Sequence, residues 1–319
     1  MIEMRSLPIT FSLLWVVGSI GGYQYSQQKD IPPAVAVPVL LALLVELSLY
    51  IALAFPDLRE RAGRLGYGLP AGMTASAVVP YLICSMAGTF NWQSLALLAV
   101  LAAAASWWFV LLPRRAAVDV GFLVLMAGVY LAKPFRDIYP PPVEQLRIDI
   151  LGQLLWIRLG VAAVLLIRRL EGTGFGFLPE KREWLIGLRN YLYFMPLGVA
   201  LMYGLEFASF DPAPGWWWKW PATFLGTLWV VALAEELLFR GMLQQWLSRS
   251  IGPRSGLVIT SLVFGAAHLP FREFPNWEFA LMAAVAGWFY GRAFNEGGGI
   301  RAAMAAHALT VATWRTLFR

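Results

Sequence analysis

Long apolar runs recur along most of this chain, and only short polar stretches separate them. A helix needs about 20 mostly apolar residues to cross the hydrocarbon core of a bilayer. In lipid, only helices and closed barrels satisfy every backbone hydrogen-bonding group. The runs are continuous rather than alternating, which is typical of helices. The pattern therefore predicts an all-α fold, a polytopic transmembrane helical bundle with about 8–11 membrane helices.

The apolar runs and their polar boundaries define candidate membrane spans. These are residues 7–24, 33–55, 69–89, 93–112, 117–133, 150–167, 191–208, 222–247, 255–270, 278–294 and 301–317. The first run lacks a clear small-residue cleavage site, so we expect it to remain as a span rather than to be removed as a signal peptide.

The net charge of +6 has its origin in the loops between apolar runs, mainly 56–68, 113–116 and 168–190. Cytoplasmic loops of membrane proteins carry such an excess of Lys and Arg. No basic stripe with interleaved aromatic residues lies outside the runs, so the sequence predicts the lipid bilayer as a partner and no nucleic acid. With four Lys against 21 Arg, it also hints at a GC-rich bacterial source. We expect an integral protein of the bacterial cytoplasmic (inner) membrane.

Two minor features predict no chemistry. Cys84 is the single cysteine, which excludes an intramolecular disulfide and a CxxC site, and its apolar surroundings favour a packing role. The glycine pattern GTGFGF at 172–177 follows no predicted strand and contains no Lys-Ser/Thr pair, so phosphate binding is not expected there. It belongs to the polar stretch 168–189, which we interpret as a linker.

Three charged residues lie inside one apolar span. Glu235, Glu236 and Arg240 fall in the middle of 222–247, where each charge costs a few kcal/mol unless it is paired or faces a cavity. Glu236 and Arg240 are four residues apart and can form a buried ion pair. Glu235 is turned about 100° away without a partner on its helix, which suits a general base. The structural alternative is one ion-pair cluster that locks helices together.

The two histidines of the chain lie downstream in separate spans. His268 ends SLVFGAAH, one helical turn after Phe264, and His307 lies in AAMAAHALTVATW. Together with Glu235, the two histidines can hold a water molecule. Glu235 accepts a proton from this water and His268 orients the water. His307 stabilises the charge that develops on a carbonyl oxygen. The same three residues, Glu235, His268 and His307, are also a candidate zinc ligand set, since two His, one Glu and a water form a known catalytic site. The spacing leaves both possibilities open.

Three motifs, in this order, resemble those of the CPBP family of intramembrane proteases, which includes the CAAX endopeptidases and bacteriocin-processing enzymes. AEELLFRG matches the signature EExxxR, FGAAH matches FxxxH with Phe264 and His268, and the segment at His307 matches the AHA start of the last motif. The resemblance covers about residues 185–319. It implies an intramembrane catalytic domain at 185–319, preceded by an N-terminal transmembrane region of unknown role at 1–184.

The resemblance also implies residue roles. Glu235 would be the water-activating base, Glu236 and Arg240 the structural pair, His268 the second catalytic group and His307 part of the oxyanion site. It implies a mechanism that requires no cofactor, with zinc as the alternative. The family commonly has Asn, or another polar residue, four positions after the last histidine, where this chain has Val311. Thr310 or Thr313 is then the hypothetical donor from a neighbouring face.

These observations predict an enzyme, a CAAX-type intramembrane protease. We expect it to hydrolyse a peptide bond near the terminus of a membrane-anchored protein or peptide. The alternative, which Val311 favours, is a catalytically inactive membrane scaffold that binds a peptide in the same cavity. A transporter is a third possibility because buried Glu and His can relay protons, but the paired broken helices typical of transporters are not evident in the sequence.

Overall fold

A computed structural model of the protein describes residues 6–272 and 274–319. This part of the chain contains 13 helices and no strand, and its one isolated β-bridge joins Phe210 to Phe318. The prediction of an all-α fold is therefore confirmed.

The chain divides into two compact units, Met1–Arg169 and Leu170–Arg319. The helices of the first unit are α1 (Leu7–Gln28), α2 (Pro33–Ala52), α3 (Pro56–Gly63), α4 (Gly68–Ser85), α5 (Trp92–Leu111), α6 (Ala116–Ala132), α7 (Phe135–Ile138) and α8 (Asp149–Ile167). Those of the second unit are α9 (Lys181–Gly204), α10 (Trp216–Ile251), α11 (Pro253–Ala266), α12 (Trp277–Gly297) and α13 (Ile300–Leu317). The predicted division after residue 184 concerns the role of each region and stays a prediction.

In the part of the chain that the structure describes, six helices are long and apolar enough to cross a membrane, namely α2, α4, α5, α8, α9 and α10. Helix α6 is also apolar but shorter. Length and composition thus confirm a polytopic membrane protein. The predicted count of 8–11 membrane helices stays a prediction.

The first unit is held together by a buried ion pair that the sequence analysis did not single out. Arg158 of α8 donates from Nε to Glu46 Oε1 of α2 at 2.6 Å and from Nη2 to Glu46 Oε2 at 3.1 Å. Its Nη1 donates to the Ser76 hydroxyl of α4 at 2.9 Å. Unpaired charges are costly in an apolar interior. This contact therefore fixes three helices of the first unit against one another.

Helix α9 begins at Lys181, well before the predicted span at 191. The Glu183 carboxylate accepts a hydrogen bond from the Glu180 backbone N–H at 2.7 Å, and Glu180 caps the helix in return. Such a capping box stabilises a helix start whatever the hydropathy of its first turns. The predicted start at residue 191 was wrong because the charged residues before it belong to the polar stretch 168–189, which hydropathy alone separates from the span.

Helix α10 also begins earlier than predicted, at Trp216 rather than at 222. The predicted spans 191–208 and 222–247 leave this tryptophan-rich segment in the connection between them. Instead Gly215, with φ of +72°, allows the chain to turn into the helix there. Trp216, Trp217 and Trp218 form its first turn and are exposed. Exposed tryptophans at a helix end are typical of the membrane interface.

Small residues let the helices of the second unit approach closely. A Cβ atom on Gly187 of α9 would lie 2.6 Å from the Cβ of Ala305 and 2.8 Å from the carbonyl oxygen of Ala302, both on α13. The alanines of α13 on either side of His307 are fully buried. Packing of this kind is common between membrane helices. It places His307 in the interior of the second unit.

Candidate active site

The Glu235–Glu236 pair lies between two π-helical segments of α10. Residues Thr227–Ala232 and Leu237–Gln244 adopt the wider π geometry, and only Leu233–Glu236 between them is regular α-helix. Such segments shift the directions of the side chains that follow and are frequent at functional sites. The rotation of 100° per residue that is expected of a regular α-helix therefore does not describe the whole of α10.

Glu236 and Arg240 form an ion pair inside the second unit. Arg240 Nε lies 3.2 Å from Glu236 Oε2, and both side chains are fully buried. Arg240 Nη2 donates to the carbonyl oxygen of Gly287 at 3.0 Å, and its guanidinium lies over the Phe264 ring at 4.4 Å. A buried guanidinium needs such compensation for its lost hydration. The glycine matters because a Cβ at residue 287 would lie 3.3 Å from Nη2.

The ring of His307 is held on three sides. Its Nδ1 lies 2.8 Å from Glu236 Oε1. Because an ionised carboxylate can only accept hydrogen bonds, His307 Nδ1 carries a proton and donates a hydrogen bond to Glu236. The Tyr290 ring stacks on the imidazole with centroids 4.6 Å apart, and Phe264 meets it edge-on at 5.9 Å. These contacts fix both the tautomer and the direction in which Nε2 points.

His307 Nε2 points toward the second carboxylate. Glu235 Oε2 lies 3.9 Å from it, which is too far for a hydrogen bond. Among the described residues this oxygen has no hydrogen-bond partner, although it is enclosed by protein. The Glu235 side chain as a whole is 32% exposed, whereas Glu236 is fully buried. The two neighbouring carboxylates therefore differ: Glu236 is fully buried and in contact with Arg240 and His307, whereas part of the Glu235 side chain is exposed.

His268 lies in the turn after α11, two residues beyond Ala266, rather than inside the predicted span 255–270. The backbone turns here because the His268 N–H bonds to the Gly265 carbonyl, three residues back. Its Nδ1 donates to the carbonyl oxygen of Phe264 at 2.7 Å, since a carbonyl can only accept. In the neutral ring this leaves Nε2 as an acceptor. His268 can thus accept a hydrogen bond at Nε2.

Phe264 connects the two histidines. Its ring lies 4.7 Å from the His268 ring and 5.9 Å from the His307 ring, measured between centroids. Within residues 6–272 and 274–319, His268 forms no hydrogen bond or ion pair with Glu235. The structure therefore joins Glu236, Arg240 and His307 through polar contacts and places Glu235 Oε2 3.9 Å from His307 Nε2. It links His268 to them through one aromatic ring.

The threonines near Val311 are engaged with other groups. The Thr310 hydroxyl donates to the Ala306 carbonyl oxygen at 2.9 Å. Thr313 Oγ1 shares a hydrogen bond with the Tyr191 hydroxyl at 2.9 Å and accepts one from the Trp220 indole at 3.3 Å. Their use as oxyanion donors stays a hypothesis, and it would require these contacts to rearrange.

Zinc binding by Glu235, His268 and His307 stays a hypothesis. Of residues 6–272 and 274–319, no three His, Cys, Asp or Glu side chains come together in a group that could hold a metal ion. His307 Nδ1 is also occupied by Glu236, and His268 Nδ1 by a backbone carbonyl. The chemistry considered below therefore uses only residues of the chain.

Sequence reasoning did not identify Tyr290 or Gly287 as part of this site. Both lie in α12 within the segment GWFYGR, where one helical turn separates a glycine from a tyrosine. An aromatic residue between glycines in an apolar span was the available signal. It is a weak one, because aromatic residues in such spans usually serve only in packing.

The fold and the site together define a polytopic membrane protein with an ionisable Glu–Arg–His cluster enclosed in its C-terminal helical unit. Residues 216–313 match the model of the Rce1-like family, described as type II CAAX prenyl endopeptidase. This match supports the resemblance to the CAAX/CPBP family of intramembrane proteases that the motifs predicted. Neither a curated protein nor a solved structure matches the chain.

Proposed function

We propose that this protein is an intramembrane endopeptidase in which Glu235 and His268 activate a water molecule. The observation that carries the proposal is the contrast between Glu236, which is fully buried and in contact with Arg240 and His307, and Glu235, whose side chain is 32% exposed. A general base must be able to reach its proton. The family match to residues 216–313 supports hydrolysis of a peptide bond.

The first step is attack on the scissile carbonyl. A water hydrogen-bonded to His268 Nε2 gives one proton to the Glu235 carboxylate, and its oxygen forms a bond to the carbonyl carbon. His268 acts as an acceptor here because its Nδ1 proton is held by the Phe264 carbonyl. The products of this step are a protonated Glu235 and a tetrahedral oxyanion.

The second step is collapse of the tetrahedral intermediate. The carbon–nitrogen bond breaks, and the proton held by Glu235 passes to the leaving nitrogen, so that an acid and an amine are released. For His307 to stabilise the oxyanion, its Nε2 must take up a proton from solvent before the reaction; Nε2–H is then a donor while Nδ1–H stays on Glu236, and the imidazolium leaves the cycle unchanged. Arg240 acts through Glu236 by pairing with its carboxylate and holding it in place. It is a positioning residue.

The substrate class follows from the surroundings of the site. The unit that contains Glu235 includes two helices long and apolar enough to cross a membrane, α9 and α10. A substrate that reaches this carboxylate is best delivered by the membrane itself. We therefore propose a membrane-anchored protein or peptide cut near its terminus, in the cytoplasmic membrane of a bacterium.

The test compares membrane proteomes of cells that express wild type, Glu235→Gln or His268→Ala. Glu144→Gln is the matched control, because it removes an exposed carboxylate from a loop of the first unit. We expect the same precursors to accumulate with both site variants and not with the control. Identical peptide termini in all four strains would end the protease proposal.

A non-catalytic peptide-binding scaffold is the second candidate. It is favoured by Val311 and by the engagement of Thr310 and Thr313 in other hydrogen bonds. Loss of one oxyanion donor costs about 10²–10³ in rate. A scaffold would capture the same membrane peptide intact with wild type and with Glu235→Gln. An enzyme would show the intact peptide only with the variant.

A further inference from the structure

A basic cavity of about 830 Å³ lies between α9 and α12, and it is lined by Lys181, Arg182, Leu185, Ile186, Arg189 and Glu296. Its volume is within the range of sites that bind small ligands. Three lining residues are cations and one is an anion, and two are apolar. The cavity is therefore suited to a ligand with a negative head and an apolar body.

The one carboxylate in the basic cavity is already neutralised. Glu296 Oε2 accepts from Arg189 at 2.6 Å and from Asn190 at 3.0 Å, and Oε1 accepts from Arg292 at 2.8 Å. The other carboxylates near this end of α9, Glu180 and Glu183, both pair with Arg301. Acidic groups close to the cavity thus have their own partners.

Lys181 and Arg182 differ from these residues. Both are exposed, and in the described part of the chain neither forms an ion pair. Arg182 Nη2 donates only to the backbone carbonyl of Glu296, at 3.3 Å. Their charges are consequently available to an external anion. Two adjacent cations also suit a phosphate group, which offers several acceptor oxygens.

The same helix continues from the cavity as an apolar ridge. Leu185, Leu188 and Leu192 of α9 are exposed and lie at positions i, i+3 and i+7, on one face of the helix. Lys181 and Arg182 are at the helix start, where a membrane-crossing helix meets the headgroup region. The cations at headgroup level match the charged phosphate of a phospholipid, and the lipid-facing apolar ridge matches its acyl chains.

We propose that the basic cavity binds the phosphate of an anionic phospholipid, with Lys181 and Arg182 as its main contacts and an acyl chain along the Leu185 ridge. Basic pockets between transmembrane helices recognise such headgroups. Arg189 and Glu296 form the floor of the site, and their mutual ion pair keeps the two helices together beneath it. The site is separate from the Glu235–His307 cluster and does not depend on its chemistry.

The experiment measures lipid retained by the purified full-length chain in native mass spectrometry, with phosphatidylglycerol and phosphatidylcholine offered in equal amounts. Wild type is compared with Lys181→Ala/Arg182→Ala. The matched control is Arg114→Ala/Arg115→Ala, which removes two exposed arginines from a loop of the first unit. A third variant, Lys181→Arg/Arg182→Lys, keeps both charges and reports on folding.

We expect preferential retention of phosphatidylglycerol by wild type, by the control and by the charge-preserving variant. Affinity falls about thirtyfold when both cations are removed at low salt. Equal retention by the Lys181→Ala/Arg182→Ala protein, or equal loss in the control, would overturn the proposal. Inorganic phosphate that binds as tightly as phosphatidylglycerol would also overturn it, because the apolar ridge would then contribute nothing.

Discussion

The imidazole of His307 lies flat against the phenol ring of Tyr290, with 4.6 Å between centroids and 11° between planes. Tyr290 lies on α12, whereas His307 lies on α13, so this contact joins the two helices. Its position determines where Nε2 points.

Substitution of Tyr290 tests that relationship. Tyr290→Phe keeps the stacked ring and should retain most activity, whereas Tyr290→Ala frees the imidazole and should lower kcat by about 10²-fold, the usual effect of misplacing a reacting group by about 1 Å. The measurement is the rate of cleavage of the precursor identified in the proteome comparison, with kcat and KM determined separately. Wild-type kcat in the alanine variant would contradict a positioning role.

Glu236→Gln tests the buried ion pair. It leaves the Arg240 charge enclosed without its carboxylate, and we expect the free energy of unfolding to fall by about 3–5 kcal/mol. Glu236→Gln combined with Arg240→Met removes both charges and should recover much of that stability. Activity should stay low in both variants, because His307 loses its anchor. Thermal unfolding in detergent, measured beside cleavage, checks both parts, and recovery of activity in the double variant would refute the anchoring role.

Gly287→Ala tests close packing around Arg240. The new Cβ would lie 3.1 Å from Phe264 Cδ1 and 3.3 Å from Arg240 Nη2, and overpacking of this kind typically costs about 1–3 kcal/mol. Gly226→Ala in α10 is the control, since nothing lies within 4 Å of its added Cβ. We expect a lower melting temperature for Gly287→Ala alone. Equal melting temperatures for the two variants would mean that α12 has room at residue 287.

Arg158→Met tests the polar contact of the first unit. It leaves the Glu46 carboxylate buried without its partner, which should cost about 3–5 kcal/mol of stability. Adding Glu46→Gln should restore part of this loss. Protease resistance of the first unit in detergent micelles reports the effect. Unchanged resistance in the single variant would show that Glu46 finds another partner.

A chelator separates the two chemistries that the sequence left open. On the mechanism proposed here, cleavage by the purified protein is unchanged after incubation with 1,10-phenanthroline and dialysis. Loss of activity that zinc restores would instead assign a metal to the site. A known zinc protease treated in parallel shows that the chelator was effective.

Several features were predictable because they depend on local sequence. Runs of about 20 apolar residues predict membrane helices whatever surrounds them, and four-residue spacing predicts that Glu236 and Arg240 can meet. The spacing of Glu180 and Glu183 is compatible with a capping box, but both residues lie in the polar stretch 168–189, which hydropathy separates from the predicted span. The predicted starting residues of helices were therefore less accurate than the prediction of which segments are helical.

The sequence alone determined a polytopic helical membrane protein and the motifs that resemble the family, and it predicted candidate residues for hydrolysis. Only the tertiary structure decided that His307 bonds to Glu236 rather than to Glu235, that Tyr290 stacks on it, and that His268 lies in a turn. Hydropathy and spacing constrain a helix along its own axis, but they do not fix its rotation or depth against neighbours. In α10 the π-helical segments also change the side-chain directions, so the contacts of Glu235 and Glu236 depend on how the whole second unit packs.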